Sequence, residues 1–148
     1  MVWKPRATVA VVCEQGNRFL MVEEHVHGAV RFNQPAGHLE DDESLVEAVV
    51  RECLEETACH FRPEALVGIY RWRNEHKGDT YLRATFCGTL LSEEPDRKLD
   101  PDIIAAHWLT LDEIRDRTDQ LRSPLVLQSI VDYLDGKRYP LDVLVDLS

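Results

Sequence analysis

The feature that most constrains the fold is an amphipathic segment between residues 44 and 57. Its apolar residues recur at intervals of three and four, the spacing that places side chains on one face of an α-helix. Ser44 is followed three residues later by Glu47, the pattern of a capping box in which each side chain bonds the backbone N–H of the other residue. We therefore predict a helix from Ser44 to Thr57. Its buried stripe consists of Leu45, Val46, Val49, Val50 and Cys53.

The same segment is strongly acidic. Residues 40 to 56 contain eight acidic residues and a single arginine, which accounts for −7 of the chain's net charge of −10. Glu52, Glu55 and Glu56 share one arc of the predicted helix, where like charges cost roughly 0.2 to 0.5 kcal/mol per pair. A bound cation would offset that cost, and carboxylates without His or Cys favour Mg²⁺ or Mn²⁺ over zinc. The alternative is a solvated acidic face with no ligand.

Strand-like segments surround this helix and predict one α/β domain over residues 1–148, with a mixed sheet between helices. The apolar runs at residues 7–13 and 18–24 are joined by a Gly-Asn turn and predict a hairpin. Residues 25–37 predict a loop with a short strand, and residues 92–101 predict a surface loop. Further strands are expected at residues 66–73, 80–91 and 103–109, and helices are expected after Thr110 and over residues 125–134.

Composition excludes several classes of protein. A net charge of −10 disfavours nucleic acid as the main partner. No apolar run approaches the roughly 18 residues of a membrane span, and no signal peptide is recognisable. The four cysteines have no paired spacing and lie mostly in apolar segments, which is typical of buried thiols in a reducing cytoplasm. A disulfide between two of them is the alternative.

The spacing of charged residues around the predicted helix resembles a known motif. Gly37, Glu43 and Arg51 are followed by Glu52, Glu55 and Glu56 in a pattern that resembles the signature box of the Nudix hydrolases, which act on metal-bound diphosphates. The resemblance implies an α/β/α sandwich. The box normally ends in Gly where this chain has Ala58, so the left-handed helix cap usual there must form differently or less favourably.

The resemblance also implies roles for these residues. Glu52, Glu55 and Glu56 would bind a divalent ion together with a main-chain carbonyl near Ala36 or Gly37. Glu55 is the expected general base, with Glu52 as the alternative, because this role moves within the family. Glu43 and Arg51 would orient the carboxylates, although a purely structural salt bridge is equally compatible with the sequence.

Two further stretches resemble the NudJ-like phosphatase subgroup, namely residues 33–39 and residues 121–126 with 138–141. This subgroup implies nucleoside di- and triphosphates, and the pyrophosphates of thiamine and of its pyrimidine precursor, as substrates that are hydrolysed with Mg²⁺.

Residues outside the box supply candidate substrate contacts. Phe32, Trp72 and Tyr81 are candidates to stack on a ring, and Arg83 is a candidate to meet a phosphate, or all four pack in the core. His25, His27 and His38 lack ligand spacing and are interpreted as loop or surface residues. Asp100, Asp102 and Glu113 are alternative sources of one more metal ligand.

Two other functions remain open at this point. A non-catalytic module that senses a nucleotide or divalent ion would share the fold, but such modules usually lose box carboxylates, and all are present here. A structural domain with a solubilising acidic face is the third alternative. The sequence is compatible with a monomer or a homodimer.

Overall fold

The computed structural model describes residues 2–148, which form an α/β fold with strands in the majority. The strands are β1 (Arg6–Val12), β2 (Glu14–Gln15), β3 (Arg18–Val26), β4 (Ala29–Asn33), β5 (Ala36–His38), β6 (Cys59–Asn74), β7 (Asp79–Glu93) and β8 (Ile103–Thr110). The helices are α1 (Leu45–Thr57), α2 (Leu111–Asp116) and α3 (Pro124–Leu134), with 3-10 turns at Thr118–Gln120 and Leu141–Val143. Within residues 2–148, every helix is too short or too polar to cross a membrane.

The strands form two sheets. The first has the order β5-β1-β7-β6, in which β1 and β7 are parallel and the other pairs are antiparallel. In the second, β3 is central and pairs antiparallel with β2, β4 and β8. The expected α/β architecture with a mixed sheet and helices is confirmed.

Two apolar clusters occupy opposite faces of the strands. Consecutive residues divide between them: Val11 contributes to the cluster under α1, whereas Val12 contributes to the cluster under α3, and Phe86 and Cys87 divide in the same way. Successive side chains of a strand point to opposite faces, so β1 and β7 are covered by helices on both sides. This explains why the first apolar run lacks the alternation of a half-exposed strand. All four cysteines are buried with free thiols.

Helix α1 has the predicted start. Ser44 Oγ accepts from Glu47 N at 3.1 Å, and Glu47 Oε1 accepts from Ser44 N at 2.9 Å. At the other end Ala58 adopts the left-handed conformation, with φ 63° and ψ 18°, and its N–H donates to the Leu54 carbonyl. The left-handed cap is therefore kept without glycine, at a cost of about 1 kcal/mol for the Cβ. The sequence left two alternatives, a different cap or the same cap at higher cost. The structure has the same left-handed cap, formed by an alanine.

Two segments contain more strand than the sequence predicted. β6 begins at Cys59, before the predicted start at Leu66, and runs through Pro63. It tolerates Pro63 because β6 is an edge strand whose register shifts between Pro63 and Ala65. Residues 25–37 contain β4 and β5, because His27 and Gly28 take positive φ angles and turn the chain directly from β3 into β4.

Candidate active site

Arg51 holds the acidic arc of α1 together. Its Nε and Nη2 donate to the two oxygens of Glu43 at 2.9 and 2.7 Å, a bidentate pair. Its Nη1 donates to one oxygen of Glu52 and one of Glu55, each at 2.9 Å. Nη2 also donates to the His38 carbonyl at 3.0 Å, which ties α1 to β5. The guanidinium lowers the pKa of Glu43, and it offsets part of the repulsion between Glu52 and Glu55.

A third carboxylate joins Glu52 and Glu55 from a distant part of the chain. Oxygen atoms of Glu52, Glu55 and Asp100 all lie within 4.8 Å of one another. The Asp100 N–H donates to the Glu55 carbonyl at 3.0 Å, which fixes the loop before β8 against the end of α1. Of the three acidic residues proposed from the sequence, Asp100 is the one that lies in this cluster within the described chain. Glu113 instead caps α2 and pairs with Arg18.

Two carboxylates here are buried: Glu52, which belongs to this cluster, and Glu56, which lies next to Glu52. Burial raises the pKa of Glu56 well above its ordinary value, and the neighbouring Glu52 raises it further, although the Ala36 N–H donates to Glu56 Oε1 at 2.9 Å. Burial also raises the pKa of Glu52, against the opposing effect of Arg51. Carboxylates held in this environment gain from a cation that compensates their charge.

Gly37 leaves the space that the Glu52 carboxylate occupies. A Cβ on Gly37 would overlap the Glu52 carboxyl group, so β5 approaches α1 closely only because residue 37 is glycine. The donor set is entirely oxygen, partly buried and converging from α1, β5 and the loop at Asp100. These residues fit a hard divalent cation such as Mg²⁺ or Mn²⁺.

A cavity of about 360 Å³ opens beside the carboxylates. Gly37, Glu52 and Glu56 form its acidic side, and Trp72, Tyr81 and Arg83 line it as well, so six of the predicted site residues meet in one place. The remaining lining residues come from five parts of the chain. They are Thr8, Asn33, Ala36, His38, Glu40, Asn74, Lys77, Arg122, Ser123 and Leu125.

Arg83 contributes a buried positive charge to this cavity. Its side chain is almost fully buried, with 4% of the residue exposed, and it donates to Asn33 Oδ1 at 3.0 Å and Gln34 Oε1 at 3.1 Å. Both acceptors are neutral amides. Burial lowers the pKa of Arg83 to about 10, which still leaves the guanidinium charged at neutral pH. Gln34 is itself fixed by donating to the Val126 carbonyl of α3 at 2.6 Å.

Two of the three predicted aromatic contacts lie at the cavity, and the third does not. Trp72 and Tyr81 are cross-strand partners whose rings stack with centroids 5.6 Å apart, at the wall of the cavity. The prediction that Phe32 contacts the substrate is corrected. Phe32 packs in the cluster under α3, beneath the Arg117 guanidinium, and does not line the cavity in the described chain. Its alternation on β4 directs it into the core while Asn33 lines the cavity. His38 is exposed as expected, yet it lines the cavity entrance.

Sequence reasoning missed several polar residues at the site, among them Asn33, Gln34, Lys77 and Arg122. Asn33 and Gln34 lie just before the box. The signal in the sequence that could have indicated them is a pair of polar residues directly after Phe32. Lys77 lies in the β6–β7 turn, and Arg122 pairs with the buried Glu24 at 3.2 Å. Neither cation could be assigned to the site without the fold, because their positions depend on how distant strands pair.

Comparison with known proteins agrees with this geometry. A family model for the NUDIX domain matches residues 3–128. Phosphatase NudJ of Escherichia coli K12 is 41% identical over 147 residues, covering 99% of this chain and 95% of the relative, and NudJ of Shigella sonnei gives the same values. A solved NUDIX hydrolase from Nitrosomonas europaea is 53% identical, with a TM-score of 0.96 over 97% of this chain and 98% of that one.

A more distant structure, a UDP-X diphosphatase, shares the fold alone. It is 17% identical with a TM-score of 0.74, covering 95% of this chain and 68% of that one. The family match covers most of the chain, and the relatives match nearly all of it. Together with the box carboxylates Glu52 and Glu56, which line one cavity, these similarities show that the chain is a hydrolase of the Nudix family.

Proposed function

We propose that this chain hydrolyses phosphoanhydride bonds in small nucleotide or pyrophosphate substrates with Mg²⁺, for which Mn²⁺ can substitute, and releases orthophosphate. One observation carries the proposal: buried carboxylates and a buried guanidinium, Glu52, Glu56 and Arg83, line the same cavity. Such a cavity suits a polyanion that arrives with a divalent cation. The name of the NudJ relatives, phosphatase, supports orthophosphate rather than pyrophosphate as the product.

The carboxylates at the cavity and in the adjoining cluster would hold the metal: Glu52 and Glu56 line the cavity, whereas Glu55 lies beside Glu52 without lining it in the described chain. We assign Glu52, Glu55 and Glu56 as ligands with the backbone at Gly37, and we add Asp100 because its oxygen lies beside those of Glu52 and Glu55. When bound, the ion would neutralise the diphosphate and lower the pKa of a coordinated water. Arg51 fixes one oxygen of Glu52 and one of Glu55, so that their second oxygens stay available.

The attacking water needs a base close to this cluster. We assign this role to Glu55, with Glu52 as the alternative, because the Glu55 side chain keeps 32% of its surface exposed whereas Glu52 keeps 10%. A carboxylate oxygen of Glu55 takes the proton as the water oxygen bonds to phosphorus. The water attacks the terminal phosphorus, which is released as orthophosphate, and the electron pair of the broken P–O bond stays on the bridging oxygen of the leaving organic phosphate.

The other side of the cavity would hold the substrate. Arg83 is fixed by two amides and offers its remaining N–H groups to a phosphate, with Arg122 nearby. Trp72 and Tyr81 would contact the ring of the substrate. The substrates we propose are nucleoside di- and triphosphates, or the pyrophosphates of thiamine and of its pyrimidine precursor.

The net charge of −10 supports a small-molecule substrate over nucleic acid. Four buried free thiols support a reducing, cytoplasmic location. We propose that residues 1–148 act as one domain, as a monomer or a homodimer.

The test is product release from a panel of nucleoside diphosphates, nucleoside triphosphates and thiamine pyrophosphate, with Mg²⁺ or with a chelator. We expect metal-dependent orthophosphate release by the native chain. Glu55→Gln should lower kcat by roughly 10² to 10⁴-fold, the usual effect of losing a general base. Glu56→Gln should also lose activity because a metal ligand is lost.

Glu93→Gln is the matched control, since Glu93 is exposed at the end of β7 and should keep native activity. Pyrophosphate as the product would contradict the phosphatase assignment. Metal and nucleotide binding without any product release would instead support the sensor, the non-catalytic alternative.

A further inference from the structure

A second cavity, of about 610 Å³, adjoins the first. It lies between the turn of the β6–β7 hairpin on one side and α3, with the segment before it, on the other. Trp72, Asn74, Arg122 and Ser123 line both cavities, so the two are continuous. A substrate whose phosphates lie at Arg83 therefore has a direct path past Trp72 into the second cavity.

The two cavities differ in chemistry. The first contains three carboxylates, Glu40, Glu52 and Glu56, whereas among the described residues the second is lined by no Asp or Glu. The second has an apolar base made by Leu121, Pro124, Leu127, Val131 and Trp72. Its polar groups are neutral amides and hydroxyls, together with His76 and the cation of Arg122.

This chemistry suits a planar, uncharged ring. Apolar side chains and the indole of Trp72 match the faces of a heterocycle, and the side-chain amides of Asn74 and Gln128 match polar atoms on its edge. A cationic ring would lie beside Arg122, which already occupies Glu24 in an ion pair at 3.2 Å, and no carboxylate among the lining residues is left to pair with a second cation. The indole is also held in place by its stacking on Tyr81.

We propose that the second cavity binds the heterocyclic ring of the substrate and that it prefers a neutral ring, as in a nucleoside diphosphate, over a cationic ring such as a thiazolium. This inference rests on the proposed function, since it takes the phosphates to lie in the first cavity. It divides the cleft into a phosphate site at Arg83 and a ring site beyond Trp72.

The test measures binding of ligands that cannot be hydrolysed. One is a nucleoside α,β-methylene diphosphate, and the other is methylenediphosphonate, which has the same phosphorus groups but no ring. Gln128→Trp places a bulky side chain in the second cavity from an exposed position on α3. Leu134→Trp is the matched control, because Leu134 is exposed on the same helix and lines neither cavity in the described chain.

We expect Gln128→Trp to weaken binding of the nucleoside analogue about tenfold, comparable to the loss of one stacked base, and to leave methylenediphosphonate unchanged. Leu134→Trp should change neither. Thr118→Trp, which fills the same cavity from the segment before α3, should repeat the result if Gln128→Trp does not fold. Equal weakening of both ligands, or of neither, would overturn the ring site.

The charge preference has its own matched pair of ligands. Nicotinamide mononucleotide carries a cationic ring, its reduced form carries a neutral one, and neither contains a phosphoanhydride. The reduced form should bind severalfold more tightly, whereas equal or tighter binding of the cation would overturn the preference. Because these readouts need no turnover, a native chain that binds as described but releases no product would refute the proposed function and leave the ring site standing.

Discussion

At the scale of single residues, Thr85 is a polar group that costs stability. It is fully buried on β7, and its Oγ1 has no hydrogen-bond partner among the described residues. Valine has nearly the same shape without the hydroxyl, so Thr85→Val removes the desolvation cost and keeps the packing. We expect the free energy of unfolding to rise by about 1 kcal/mol. Urea denaturation followed by circular dichroism measures this change.

Thr57→Val is the matched control for this substitution. Thr57 is also buried, but its hydroxyl donates to the Cys53 carbonyl at 2.6 Å and accepts from the Cys59 N–H at 3.2 Å. The same chemical change at this position removes both hydrogen bonds and leaves the Cys59 N–H without this acceptor, so it should destabilise the fold by about 1 to 3 kcal/mol. If Thr85→Val also destabilised the protein, the hydroxyl of Thr85 would have to have a partner.

At the scale of elements, the close approach of β5 to α1 shapes the metal site. Gly37→Ala would add a Cβ that overlaps the Glu52 carboxyl group, the mobile end of a side chain. We expect Glu52 to move aside, so that activity and metal affinity fall by about 10 to 100-fold, the effect of disturbing the orientation of a ligand. The melting temperature should change little. Steady-state kinetics over a range of Mg²⁺ concentrations, with thermal unfolding, tests both parts.

Gly88→Ala serves as the comparison, because its Cβ would overlap the backbone carbonyl of Arg62 on the neighbouring strand. A backbone cannot move aside as a side chain does, so this substitution should destabilise the fold by about 1 to 3 kcal/mol. The two variants therefore separate a glycine needed for the site from one needed for strand pairing. An unstable Gly37→Ala with unchanged metal affinity would contradict the assignment.

The elements also differ in how far the sequence could predict them. α1 was predictable to within a residue at its start because the capping box of Ser44 and Glu47 is a local signal. The start of β6 was not, since Pro63 is a strand breaker unless the strand lies at an edge, and edge position depends on the whole sheet. The left-handed conformation of Ala58 was also not predictable, because tertiary packing overrides the preference of alanine for a negative φ.

At the scale of the whole molecule, the site combines one local motif with residues that only the fold brings together. The box supplied Glu52, Glu55 and Glu56 from a single helix, so their grouping follows from helical spacing. Asp100 and Arg83 come from distant segments, and their places depend on strand pairing that no local pattern specifies. For this reason the acidic side of the cavity was predictable in detail, whereas its basic side was only a set of candidates.

The clustering of acidic residues at the site predicts how the whole molecule responds to a divalent cation. Eight acidic residues cluster between residues 40 and 56, and the carboxylates nearest the cavity are partly buried, so the metal-free fold carries uncompensated repulsion. An ion that binds the folded chain stabilises it by about 2.7 kcal/mol at 100 times its dissociation constant. We expect one cooperative unfolding transition, as for a single domain, whose midpoint rises by roughly 5 °C with saturating Mg²⁺. Differential scanning calorimetry measures both, and NaCl at equal ionic strength controls for screening. Glu56→Gln should unfold at a similar temperature with and without Mg²⁺, whereas a full Mg²⁺ response in that variant would show that the ion binds elsewhere.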